Sequence, residues 1–120
     1  MGVEVASKIR RGVNPEHSKH WHAVGTLGCL GARAGAEKIL GLGVDETRSA
    51  LRIAASEAAA LKKNKGTSAK PFHAGNTAKA GVVAVLLVRE GLRANQDILE
   101  GQFVLAEYIV ARSIVLRKSW

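Results

Sequence analysis

The chain has 120 residues, 47% of them hydrophobic, and a formal net charge of +8. The hydrophobic share excludes a disordered polypeptide. The longest apolar run, Val82 to Val88, excludes a bilayer-spanning segment, and the lone Cys29 excludes an internal disulfide framework. A single thiol fits a reducing compartment, and Met1 to Arg10 lacks the apolar run of a signal peptide, so the expected setting is the cytoplasm.

Met1 to Arg11 predicts a short helix with Val3, Val5, Ala6 and Ile9 as its apolar positions. Gly12 to His20 reads as a loop, marked by Gly12, Asn14 and Pro15. Gly25 to Leu40 predicts a helix built on Gly28, Gly31, Ala32, Ala34, Gly35 and Ala36. Glycine inside a helix costs about 1 kcal/mol against alanine. A helix that accepts several is therefore expected to be buried, with backbones in close contact. Gly41 and Gly43 then serve as C-cap residues.

Asp45 is the expected N-cap of the next helix, whose stripe is Leu51, Ala54, Ala55, Ala58 and Leu61. Lys62 to Pro71 reads as a polar loop broken by Gly66 and Pro71, the proline pushing the backbone ahead of it away from helix. His73 to Glu90 predicts a third long helix closed by Gly91. A short turn or helix follows at Asn95 to Glu100. Gln102 to Lys118 can form a helix, weakened by its β-branched residues. With no long alternating segment and no repeat, the fold class is all-α, a bundle of buried small-residue helices.

The charge suits anionic partners: nucleic acid, an acidic membrane surface or acidic small molecules. No aromatic interleaving of the kind that stacks bases accompanies it, so nucleic acid has only the charge in its favour. His17, His20 and His22 share one short segment. Structural zinc sites close four ligands, however, and Cys29 lies a helical turn or more inside the next element, so no metal site is expected. His17 and His20 read as solvated loop residues. His22 stands before Gly25-Thr26-Leu27-Gly28, where a helix N-terminus offers free N–H groups to a carboxylate. It is either a group that binds or exchanges protons with a bound acid, or a residue that caps the helix or packs on Trp21. Lys70, ahead of Pro71 and three residues before His73, is either an anion clamp or a solvated lysine. No phosphate-binding Gly-rich loop ending in Lys-Ser/Thr is present.

Taken together, several blocks resemble the MmgE/PrpD family. They are Trp21-His22-Ala23, Gly25-Thr26-Leu27-Gly28, Ile39-Leu40-Gly41-Leu42, Ala50-Leu51 and Ile53-Ala54, Gly66-Thr67, Lys70-Pro71-Phe72-His73-Ala74-Gly75-Asn76, and Asp97-Ile98-Leu99-Glu100-Gly101. The resemblance implies a partial helical domain over residues 1–103, a divergent tail over 104–120, and chains several times longer in the family. Its members include 2-methylcitrate dehydratase, cis-aconitate decarboxylase and iminodisuccinate epimerase. They share a large helical domain plus a smaller α/β domain, form homodimers, and need no metal or organic cofactor.

By the same resemblance His22 and Lys70 fall on active-site positions, with Thr26 and His73 in the same motifs as substrate-binding residues. The implied activity is a lyase or isomerase working on a small di- or tricarboxylate. In that picture Lys70 clamps an anion, and His22 is a second clamp or a proton-transfer group. The isolated chain is expected to be inert, because much of the active site lies elsewhere. A competing expectation is a non-catalytic helical module that pairs with a separately encoded half.

Overall fold

Alanine and glycine set the architecture by letting helices approach. The computed structural model describes residues 1–13, 16–64 and 66–94. They form five α-helices: α1 Gly2–Val13, α2 Glu16–His20, α3 Ala23–Leu40, α4 Val44–Ser56 and α5 Ala69–Arg89, with a 3-10 turn at Lys62–Asn64. Among the described residues there is no strand, only an isolated antiparallel bridge between Trp21 and Leu61. The all-α class is as expected from the sequence. No helix of the described residues is long and apolar enough to cross a membrane.

α3 is the centre, packed against α1, α4 and α5. Three of its four glycines, Gly25, Gly28 and Gly31, are contact points, as the composition predicts, and Gly35 is not. A Cβ added at Gly28 would lie 2.6 Å from Thr77 Cγ2 of α5, and one at Gly81 of α5 would lie 2.4 Å from the Cys29 carbonyl oxygen. Gly31 meets Gly2 of α1 in the same way, its added Cβ 2.6 Å from the Gly2 oxygen. Around these crossings Leu27, Cys29, Leu30, Ala54, Ala55, Ala58, Ala80 and Ala84 form the main core, with Ile9, Val13 and Trp21 against its edge. Ala50, Val85 and Val88 form a smaller second cluster. Cys29 is buried, its thiol donating to the Ala54 carbonyl at 3.2 Å, and burial pushes its pKa up.

The caps explain where the helices stop. Gly41 closes α3 in the left-handed region, φ 69°, its N–H donating to the Glu37 carbonyl at 2.9 Å. Gly43 is not a second C-cap. It is the N-cap of α4, and its N–H donates to the Glu46 carboxylate at 3.4 Å. Asp45, expected as that cap, lies inside the first turn, where a carboxylate still favours the positive end of the helix.

Two loop expectations also change. Part of Gly12 to His20 is helical, because α1 runs on to Val13 and α2 covers Glu16–His20. α5 starts at Ala69, so Lys70 and Pro71 belong to its first turn rather than to a loop. Proline is tolerated there because the first N–H groups of a helix have no internal partner to lose. Thr67 braces the entry, its hydroxyl donating to the Asn64 carbonyl at 2.7 Å and accepting from the Ala69 N–H at 3.2 Å. The expected stripe Leu51, Ala54, Ala55, Ala58 and Leu61 is buried at its three alanines, while Leu61 is exposed beyond the end of α4. The expectations for Asn95 to Glu100 and Gln102 to Lys118 lie outside the described residues.

Candidate active site

The N-terminal ends of α3 and α5 lie side by side, and the site residues follow from that. On α5, Lys70, His73 and Thr77 fall on one face at helical spacing. On α3, His22 takes the N-cap position, and Gly25 and Gly28 follow on the side that meets α5. A Cβ at Gly25 would sit 2.2 Å from the Ala60 Cβ and 3.2 Å from the His73 Cβ. The glycine thus lets both the Ala60 segment and α5 close on the start of α3. The His22 N–H donates to the Ala60 carbonyl at 2.9 Å, which fixes the backbone under the imidazole.

His22 does not cap α3 with its side chain. Instead its Nδ1 lies 3.0 Å from Nδ1 of His73, with ring centroids 5.2 Å apart. Two Nδ1 atoms at that distance hold one proton between them, so one ring donates and the other accepts. The sequence places these rings 51 residues apart and contains no sign of their pairing.

A cleft of about 290 Å³ opens beside the pair, lined by Arg10, Ser18, Trp21, His22, Ala23, Val24, Lys62 and Lys70. His22 and Lys70, the two residues singled out in the sequence, therefore share one cleft. Thr26 and His73 are not among its lining residues. The start of α3 is exposed to the cleft through Ala23 and Val24, and a helix N-terminus carries unpaired N–H groups and partial positive charge. With Arg10, Lys62 and Lys70 around it and no acidic side chain in its lining among the described residues, the cleft attracts anions. Arg10 and Lys62 escaped the sequence reading. Arg10 reaches the cleft because α1 crosses α3. Lys62 reaches it because the Trp21–Leu61 bridge brings the 3-10 turn alongside, where Lys62 Nζ donates to the Ser18 carbonyl at 2.7 Å.

Behind the cleft lies a residue whose reading changes. His17, expected to be solvated, is fully buried. Its Nε2 is 2.5 Å from the hydroxyl of Thr26, which is buried as well. That hydroxyl also lies 3.3 and 3.4 Å from the His22 and Ala23 carbonyls, and the tautomer of His17 decides which group donates in the His17–Thr26 bond. Nδ1 of His17 has no hydrogen-bond partner among the described residues. Burial above all, with Arg10 second, holds the His17 pKa below its ordinary value. Sequence spacing could not reveal this, because α1, α2 and α3 enclose the ring only once folded. Among the described residues, no group of three or more His, Cys, Asp or Glu side chains is placed to hold a metal ion.

Comparison with known proteins agrees with the blocks that surround this geometry. Human cis-aconitate decarboxylase is 37% identical over 102 residues, covering 83% of this chain and 21% of the relative. The mouse cis-aconitate decarboxylase is 44% identical over 102 residues, with the same coverage. The chain thus spans about a fifth of the length of the curated relatives it matches. The family described as MmgE/PrpD N-terminal domain matches residues 1–113, and the chain belongs to that family.

Proposed function

We propose that this chain supplies one wall of a cofactor-independent lyase or isomerase site for small di- or tricarboxylates, resembling that of 2-methylcitrate dehydratase. The observation that carries the reading is the convergence of His22 and Lys70 on one cation-lined cleft, with His73 bonded to His22 from behind. The ammonium of Lys70 pairs with a substrate carboxylate. His22 moves the proton at the neighbouring carbon. When its Nδ1 donates to His73, Nε2 is bare and takes the substrate proton as a base; the imidazolium so formed returns it as the acid. His73 and Thr26 serve substrate binding through His22. His73 does so by the shared proton, and Thr26 by its hydroxyl against the His22 carbonyl. The relatives' name supports this substrate class, since cis-aconitate is a tricarboxylate.

A complete site needs the rest of a longer chain or a partner half, in a cytoplasmic homodimer. The isolated 120 residues are therefore inert. A second reading, a non-catalytic module that docks a separately encoded half, draws on the exposed Val82, Val83, Leu86 and Leu87 of α5. Turnover separates the two. In an enzyme assembled with the missing portion, His22→Ala and Lys70→Ala should each lower kcat/KM for cis-aconitate or 2-methylcitrate by about 100-fold, the usual weight of an acid–base or clamping group. Unchanged turnover in both variants defeats the catalytic reading. Turnover by the isolated chain defeats the claim that it is only one wall.

A further inference from the structure

The cleft holds more positive charge than one carboxylate can use. Lys70 alone can pair with a single acid group, yet Arg10 from the last turn of α1 and Lys62 from the 3-10 turn line the same space. Neither belongs to the sequence blocks that mark the family. Lys62 is held in place by its bond to the Ser18 carbonyl, which leaves two of its three N–H donors for a ligand. Three carboxylates pair away from the cleft: Glu4 with Lys8, Glu37 with Arg33 and Asp45 with Arg48. Three like charges gathered at one opening repel each other, and an anion with several charges relieves that repulsion better than one with a single charge. The volume of about 290 Å³ suits a small, densely charged acid.

We infer that Arg10 and Lys62 pair with the second and third carboxylates of a tricarboxylate ligand and set its preference over shorter acids. This rests on the carboxylate reading of the cleft given above, and it assigns the two residues to specificity rather than to proton transfer. Arg10 offers a planar fork to one carboxylate, Lys62 a compact charge to another.

The test is binding to the 120-residue chain, followed by amide chemical shifts at fixed ionic strength. The probes are tricarballylate, which has three carboxylates, and glutarate, which has two. The wild-type chain should bind tricarballylate about ten-fold more tightly than glutarate, the weight of one extra charge-assisted contact. Arg10→Gln and Lys62→Met should each erase most of that ratio and leave glutarate binding nearly unchanged. Lys70→Ala should weaken both acids, and Arg48→Gln, at an exposed position of α4, neither. If the ratio survives in both Arg10→Gln and Lys62→Met while Lys70→Ala still weakens both acids, the assignment of Arg10 and Lys62 is wrong and the carboxylate cleft stands. If the wild-type chain binds tricarballylate no more tightly than glutarate, or binds neither, this inference is overturned, while the carboxylate reading is decided separately by turnover of the assembled enzyme.

Discussion

Along their middles, α3 and α5 meet through Gly28, Cys29, Thr77 and Gly81 with almost no room between backbones; beside their N-terminal ends, where His22 still meets His73, a cleft lined with cations opens. In the seam, space decides which residue is allowed. In the cleft, space is available and charge decides. One pair of helices can thus carry stability in one stretch and ligand chemistry in the next, with different rules for substitution. The most damaging change should be in the seam. Gly81→Ala puts a carbon 2.4 Å from the Cys29 oxygen and 2.6 Å from the Arg33 nitrogen, both backbone atoms that cannot swing aside. Overpacking of this kind costs about 3 kcal/mol, and the better helix propensity of alanine returns about 1 kcal/mol of it. The urea midpoint should fall accordingly. A midpoint equal to that of the wild type would mean the helices sit further apart than described, and the contrast with the cleft would dissolve.

The boundary between the two regions is His17, and pH reads it. Its folded pKa is lowered, chiefly by burial, from an unfolded value of 6.5. Below that value the unfolded chain binds the proton more readily than the folded chain does. Stability from this group is therefore fully present above pH 6.5 and is lost as pH falls from there towards the folded pKa. The slope is limited to about 1.4 kcal/mol per pH unit for one proton. Glu37, whose pKa is raised by burial from 4.5, acts in the opposite sense as pH falls through its folded pKa, so comparison with His17→Gln isolates the histidine. Unfolding free energies measured from pH 8 to pH 5.5 should drop for the wild type and stay flatter for His17→Gln. Parallel curves would show that His17 is not the group that resists protonation.

What the sequence could show divides along the same line. The glycines and alanines of α3 announce close helix contact by their number alone, and the structure meets that expectation at Gly28 and Gly31. The family blocks locate His22 and Lys70, which share the cleft. The partners of those residues were not legible. The bond from His22 to His73 depends on how α3 and α5 are placed, and the arrival of Arg10 depends on how α1 crosses α3; neither leaves a pattern along the chain. His17 looked like a loop histidine because its segment is polar, whereas its burial comes from the helices folded around it. The start of α5 was hidden by Pro71, a breaker that is harmless in a first turn.

The smallest effect expected is also the sharpest check on why the glycines are there. Gly31 and Gly35 lie one turn apart on α3 and have the same intrinsic helix cost. An added Cβ at Gly31 would meet the Gly2 oxygen at 2.6 Å and the Ala6 Cβ at 3.2 Å, whereas at Gly35 nothing lies within 4 Å. If close approach is what selects glycine, Gly35→Ala should stabilise the chain by about 0.5–1 kcal/mol, the ordinary helix preference for alanine. Gly31→Ala should destabilise it, because α1 must move away from α3. Chemical denaturation of the pair measures the difference of sign directly. Equal gains at both positions would mean that α1 is loosely held and that the close-contact rule belongs to the α3–α5 seam alone.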